Sequence, residues 1–367
     1  MFTNQNRYQN NIYFMGLALD QAKRTLGNTK KNPAVGCVIV KNHHVISAGY
    51  TSIYGRPHAE QNAINFSKIA LKNSELYVTL EPCSHYGKTP PCVNSIIKSK
   101  IKKVIFSIKD PDPRSFNKCA KKLKSRGIIV INEVLKDKIK FFYKSYLKSR
   151  KNNLPFVTCK LAVSKDFYTI DNKGKWITNE FSRGRVHLMR ASHDCIVTSS
   201  KTIIEDNPLL SCRIRGLTDR SPTRIIFDNK LRIKINSRII KDAKNYHTII
   251  FYNQINKKKI KLLKKLKIRI YKIPLDIDGN LDLKKSLIKA HKLGFSRIFL
   301  ESGIELATNF LNKKLVDDFK LFISDKHLKQ NGRGSIKKFF GSVLKNKKKI
   351  TEKVNLSGEK LISYKLK

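Results

Sequence analysis

Val78-Thr79-Leu80-Glu81-Pro82-Cys83-Ser84-His85-Tyr86-Gly87-Lys88-Thr89-Pro90-Pro91-Cys92 passes from an apolar run, through a loop rich in Pro and Gly, to a second cysteine. The apolar residues over 76–80 predict a strand, and Pro91 before Cys92 predicts a helix opening over 91–99. Upstream, Pro57-His58-Ala59-Glu60 opens a helical pattern over 58–71. His58, Cys83 and Cys92 are three soft ligands, which suits zinc with its fourth tetrahedral position open, as catalytic rather than structural sites keep it. Zinc lowers the pKa of a water toward about 7. Residues two apart diverge by about 200° in mid-helix. In a first turn both can face a metal, so His58 reads as a ligand and Glu60 as a proton shuttle. Both thiolates are expected near helix N-termini, where the dipole favours anions.

Around this constellation the pattern alternates. Strands are predicted at 34–40, 44–50, 76–80, 103–108 and 127–131, and helices at 12–26, 58–71, 91–99, 116–125 and 133–147. That is an α/β layered domain with helices on both faces of its sheet. The basic stretch 148–153 is the linker candidate. A second series follows: a strand at 156–164, a helix at 179–191 capped by Thr178, and strands at 195–198, 224–227, 248–252 and 268–273. A helix at 283–293, a strand at 297–300, a helix at 304–311 and a strand at 318–323 complete it. The basic tail beyond 332 carries little pattern. The halves share no repeat or motif.

A length of 367 residues suits about two domains. A hydrophobic fraction of 40% with 17 Gly and 11 Pro excludes disordered and collagen-like chains. The longest clean apolar run, 34–40, is far short of the roughly 20 residues of a membrane span. Residues 1–11 are polar, so no secretory signal is expected. Seven cysteines, an odd number, suit reduced thiols in a cytoplasm. Cys37 reads as core, and Cys119, Cys159, Cys195 and Cys212 as incidental. The net charge of +49 suggests a polyanion partner. Its distribution argues otherwise: residues 1–150 carry 27 basic and 8 acidic side chains, and the remainder 49 and 19. Lysine spread this evenly, as in the run 256–272, reads first as solvated surface, then as steering of small anionic substrates, and last as a nucleic-acid face. The oligomeric state stays open, a homo-oligomer included.

The pattern H-x-E…P-C…C is the general signature of zinc deaminases. Nucleic-acid deaminases space the cysteines as C-x-x-C, whereas eight residues separate Cys83 from Cys92, and Lys88 in that insert is available to an anionic group. Together with Asn32-Pro33-Ala34-Val35-Gly36-Cys37-Val38-Ile39-Val40, these motifs resemble the bifunctional deaminase–reductase family of riboflavin biosynthesis. The resemblance continues through Trp176-Ile177-Thr178, Leu188-Met189-Arg190, the run from Thr198 through Lys201-Thr202, Glu205-Asp206-Asn207-Pro208 and Leu210 to Arg213, and Glu301-Ser302-Gly303. It implies a cytidine-deaminase-like α/β/α domain over 1–150 and a dihydrofolate-reductase-like α/β domain over 154–367. The implied reactions are hydrolytic deamination of 2,5-diamino-6-ribosylamino-4(3H)-pyrimidinone 5′-phosphate at one zinc, and NADPH-dependent reduction of the ribosyl chain to ribityl. By the same resemblance Ala162, Trp176, Thr202, Asp206, Asn229 and Gly303 contact NADPH. Arg190, Leu210, Arg213 and Glu301 contact the substrate in the second domain, and Asn32 and Lys88 in the first.

Elementary chemistry supports part of this. Arg190 and Arg213 can each fork onto a phosphate. Gly303 precedes a helix whose N-terminus can take a cofactor phosphate. No G-x-G-x-x-G follows a strand, so no Rossmann site is expected. The second half departs from the family pattern at Phe167, which stands for Gly, and at Gly174, which stands for Ser. Three other readings follow: a deaminase with a decayed reductase half, a zinc nucleic-acid deaminase, and a basic nucleic-acid-binding protein.

Overall fold

A computed structural model describes residues 4–115, 118–174, 176–337 and 343–366. The chain divides into two compact units, Met1–Asn153 and Leu154–Lys367.

In the first unit, α1 (Asn4–Lys23) precedes β1 (Gly36–Lys41), β2 (His44–Tyr50), α2 (Ala59–Phe66), β3 (Glu75–Leu80), α3 (Cys92–Lys98) and β4 (Lys103–Ile108). Then come α4 (Lys118–Lys124), β5 (Ile129–Ile131), α5 (Lys136–Phe142) and α6 (Lys144–Asn152). The sheet order is β2-β1-β3-β4-β5. β1 runs antiparallel to β2 and β3, whereas β3, β4 and β5 are parallel. The parallel strands β3 and β4 are almost wholly buried, as strands covered on both faces must be. Helices pack very closely here. A Cβ at Gly36 would fall 1.9 Å from the Ala18 carbonyl oxygen, and one at Gly49 2.4 Å from both the Ala59 oxygen and the Ala63 nitrogen. Glycine at 49 is what lets α2 lie against β2.

Two expectations fail at the end of this unit. The single helix expected over 133–147 is two, because Tyr143 leaves helical geometry (φ −83°, ψ 5°) between α5 and α6. Its hydroxyl is pulled into the core, 2.6 Å from Thr79 Oγ1 and 3.1 Å from the Ala34 oxygen. The linker candidate 148–153 is helical to Asn152 and stops at Asn153 in the left-handed region. Arg150 draws it inward by donating to the buried Asp112 carboxylate at 2.8 Å. Similarly, α2 ends at Phe66, not near 71, and residues 116 and 117 of the expected fourth helix lie outside the described residues.

The second unit contains β6 (Phe156–Val163), β7 (Tyr168–Asp171), α7 (Glu180–Ala191), β8 (Cys195–Ser199), α8 (Ser200–Asp206), β9 (Thr223–Phe227) and α9 (Arg238–Lys241). β10 (Thr248–Tyr252), α10 (Lys257–Lys265), β11 (Arg269–Lys272), α11 (Leu283–Lys292), β12 (Arg297–Glu301) and α12 (Ile304–Asn312) follow. β13 (Asp318–Ile323), β14 (Gly332–Ser335), β15 (Lys348–Thr351) and β16 (Lys360–Lys365) close the chain. Nine strands form one sheet in the order β11-β10-β9-β8-β12-β6-β13-β16-β15, and β14 pairs with β7. All neighbours in the large sheet are parallel except β13–β16 and β16–β15. The lysine-rich run at 256–272 is α10 and edge strand β11, with Leu263 and Ile268 buried. α7 is capped by Asn179 and not by Thr178: Asn179 accepts the Ser182 N–H at 3.0 Å. Phe167, standing where the family pattern has Gly, takes φ +70°.

Among the described residues no helix is long and apolar enough to cross a membrane.

Candidate active sites

His58 is the N-cap of α2, in extended geometry, so its ring leaves the helix end toward the loops after β3. Cys92 is the first residue of α3, and Cys83 lies in the loop after β3. The His58 Nδ1 atom is 3.6 Å from Cys83 Sγ and 3.4 Å from Cys92 Sγ. The three donor atoms lie within 4.8 Å of one another, and theirs is the one group of this kind found among the described residues. The Cys92 N–H donates to Cys83 Sγ at 3.3 Å, so both sulfurs share the N-terminal end of α3. Hydrogen bonding from the Cys92 thiol and the His58 ring draws Cys83 down toward the thiolate, while Cys92 is pushed up by that bond and by burial. A donor set of one imidazole and two thiols at this separation fits zinc.

Glu60, in the first turn of α2, is 4% exposed. Burial pushes its carboxyl up to about 7, against the pull of the His58 ring. A carboxyl poised there can both take and return a proton near neutral pH. Asn62 fixes the helix by donating to the Tyr50 oxygen at 2.7 Å and to Ser52 Oγ at 2.9 Å. Asn32 donates to the Gly55 oxygen at 2.7 Å, and Lys88 is exposed on the cysteine loop. Behind that loop, Glu81 Oε2 accepts the Asp110 N–H at 3.2 Å, and Asp112 is gripped by Arg114 and Arg150. The Asp110-Pro111-Asp112-Pro113 turn is visible in the sequence; its partner Arg150 is not, because it sits in the segment read as linker.

In the second unit, Thr202 and Gly303 meet at the carboxyl ends of the adjacent strands β8 and β12: the Gly303 N–H donates to Thr202 Oγ1 at 3.2 Å. The chain leaves β8 toward β9 and leaves β12 toward β13, on opposite sides, and such a divergence is where open α/β sheets bind ligands. Asn229 follows β9; its Nδ2 donates to the Gly279 oxygen at 3.1 Å, and its Oδ1 is buried without a partner among the described residues. Thr198 Oγ1, near the end of β8, is orphaned in the same way. Orphaned polar atoms at the carboxyl ends of β8 and β9, with α12 opening after the adjacent β12, suit a polar, phosphorylated cofactor. Ala162 is in β6, Asp206 ends α8 exposed, and Trp176 is 54% exposed with the Arg183 guanidinium 5.3 Å from its ring.

Arg190 does not offer the phosphate fork expected of it. Its Nε and Nη2 donate to the two Glu301 carboxylate oxygens at 2.9 and 2.8 Å, and its Nη1 to the Ser211 oxygen at 2.9 Å. Arg190 is thus spent on holding Glu301 and the loop that carries Leu210 (φ +56°) and Arg213. Arg213 is exposed, and its N–H donates to His187 Nδ1 at 3.2 Å. His187, which the sequence reading passes over, is held down to about 4 by burial and by the cations of Arg190 and Arg213. It is therefore neutral near pH 7. Lying one helical turn before Arg190 is the only sign it gives in the sequence.

Two family profiles match the chain: the RibD C-terminal domain over 155–353, and the cytidine and deoxycytidylate deaminase zinc-binding region over 8–108. Among curated relatives, the riboflavin biosynthesis protein RibD of Chlamydia trachomatis is 34% identical over 326 residues, covering 88% of this chain and 86% of the relative. The chain belongs to the RibD family. The RibD of Buchnera aphidicola is likewise 34% identical, covering 86% of this chain and 87% of its own. Acinetobacter baumannii RibD superposes with a TM-score of 0.85 at 27% identity, covering 98% of this chain and 99% of its own. The Thermotoga maritima diaminohydroxyphosphoribosylaminopyrimidine deaminase/5-amino-6-(5-phosphoribosylamino)uracil reductase gives 0.83 at 29%, with the same coverage. This RibD-family chain is a bifunctional enzyme of riboflavin biosynthesis, with deaminase and reductase activities and with Zn²⁺ and NADPH as cofactors. The match runs through both halves, so neither a decayed reductase nor a nucleic-acid protein is favoured.

Proposed function

We propose that residues 1–150 deaminate 2,5-diamino-6-ribosylamino-4(3H)-pyrimidinone 5′-phosphate and that residues 154–367 reduce the ribosyl chain of the product to ribityl. The observation that carries the first step is the convergence of His58, Cys83 and Cys92 beside the buried carboxyl of Glu60. Those three side chains hold the zinc, which when bound acidifies water and so furnishes the nucleophile at neutral pH. Glu60 takes the proton from the attacking water and returns it to the departing ammonia. Asn32, already fixed to Gly55, presents its remaining polar capacity to the pyrimidine, and Lys88 meets the phosphate.

In the second unit Thr202, Asn229, Asp206, Ala162, Trp176 and Gly303 hold NADPH, which supplies the hydride. Glu301 and Leu210 orient the substrate, and Arg213 takes its phosphate. Arg190 acts through Glu301, because its guanidinium is already bound there. The enzyme works in the cytoplasm, which suits its seven free cysteines.

Substitution separates the two steps. Glu60→Gln keeps the shape of the side chain and removes the shuttle, so ammonia release falls roughly 10²–10⁴-fold while reduction of pre-deaminated substrate continues. Asp206→Ala does the converse. Equal loss of both steps in Glu60→Gln, with zinc retained, contradicts the assignment.

A further inference from the structure

We propose that Glu359, at the turn into β16, is a positioning residue of the reductase: it completes the cap of α7 and so fixes the backbone of residues 176–179 on which the cofactor-facing Trp176 is mounted. The inference rests on the reading above that Trp176 lies against NADPH.

A helix leaves its first four N–H groups without intrahelical partners. In a capping box, the N-cap side chain bonds the N3 N–H, and a Glu or Gln at N3 returns to the N-cap N–H. α7 has only half of this. Asn179 accepts the Ser182 N–H, but N3 is Ser182 itself, too short to reach back. Glu359 supplies the missing half from the far end of the chain. Its Oε1 accepts the Asn179 N–H at 2.8 Å, and its Oε2 accepts the Ser182 hydroxyl. The carboxylate is 6% exposed and sits at the positive end of the helix dipole. Asn179 answers by donating its Nδ2 to the Leu356 oxygen at 2.7 Å. Two left-handed residues, Ser357 (φ +50°) and Gly358 (φ +88°), make the turn that delivers Glu359.

The other end of the same strap is held from the segment just after β13. Ser324 Oγ donates to the Ile177 oxygen at 2.8 Å, and Lys326 Nζ to the Trp176 oxygen at 3.2 Å. Trp176 is thus a half-exposed ring on a backbone fixed from two sides. Glu359 lies beyond residue 353, where the match to the reductase family profile ends.

Trp176 is the only tryptophan in the chain, so tryptophan emission reports this strap alone. The test uses the full-length zinc-loaded protein, with acrylamide quenching of that emission, NADPH titration and steady-state reduction. Glu359→Ala should raise acrylamide quenching and the KM for NADPH about tenfold, the scale of a lost charge-assisted hydrogen bond, with kcat and deamination little changed. Glu359→Gln, whose amide oxygen can still accept the Asn179 N–H, should restore most of both. Ser182→Ala removes one of the two bonds and should move both readouts a smaller distance the same way; it decides the matter if Glu359→Ala does not fold. Quenching and KM unchanged in Glu359→Ala, or in Ser182→Ala where that variant decides, overturn the proposal. A failure of the underlying reading looks different: NADPH then leaves the Trp176 emission of the unmodified protein unchanged.

Discussion

In residues 1–153 each of the three converging side chains proposed to hold zinc is placed by its own local structure. His58 stands at the N-cap position of α2, Cys92 opens α3, and Cys83 lies in the loop after β3. In residues 154–367 the groups at the candidate site come from elements far apart in sequence and are set by their mutual contacts: Arg190 with Glu301, Thr202 with Gly303, Asn179 with Glu359. A site made of local motifs is confined to its donors and the few residues that aim them. A site made of distant contacts has energy stored in pairs, and it fails when one partner is lost.

That contrast can be broken at Cys83. Cys83→Ala removes one of three donors, so the protein should lose its zinc and all measurable deamination while NADPH oxidation with pre-deaminated substrate persists. Metal analysis beside the two assays checks this, and zinc retained at the unmodified level would remove Cys83 from the ligand set. The next largest effect is expected at Arg190. Its side chain and that of Glu301 are 10% and 16% exposed, and removing one partner of such a pair leaves a charge stranded, at a cost of about 3–5 kcal/mol. Arg190→Met should lower the unfolding midpoint of the second unit and stop reduction, with ammonia release untouched. Adding Glu301→Gln should recover part of the stability and none of the reduction. A single variant as stable as the unmodified protein would mean that the pair does not hold the loop. The smallest effect sharpens the comparison inside the first unit. Gly49→Ala puts a methyl group against backbone atoms of α2 and should destabilise by about 1–3 kcal/mol. Because His58 stands at the N-cap of α2 and Glu60 in its first turn, deamination should weaken with it, read by chemical denaturation and ammonia release. An unchanged midpoint would show that α2 can move away without consequence.

The same contrast explains what the sequence makes legible. Strands 44–50, 103–108, 248–252 and 318–323 have the predicted bounds, because each is a short stretch rich in aliphatic and aromatic residues set between polar turns. The cluster of His58, Cys83 and Cys92 is readable because metal-ligand chemistry restricts residue type and spacing, and the structure brings the three together. What escapes notice depends on partners distant in sequence. Tyr143 breaks a helix to reach Thr79, and Arg150 turns a supposed linker into a clamp on Asp112. Arg190 reads as a phosphate fork until Glu301 is seen to fill it. The edge strand β15 is masked by lysine, which suits edges and solvent but hides periodicity.

The central claim is that one chain carries two independent sites for two successive steps. The direct measurement supplies the diaminopyrimidine ribosyl phosphate to the zinc-loaded protein, with and without NADPH, and identifies the products by mass. Without NADPH, the account predicts ammonia and a product in which one amino group has become an oxygen function. With NADPH, it predicts that product further reduced by two hydrogens, with matching cofactor consumption. Ammonia release with no NADPH consumed, or no ammonia in either case, would contradict it.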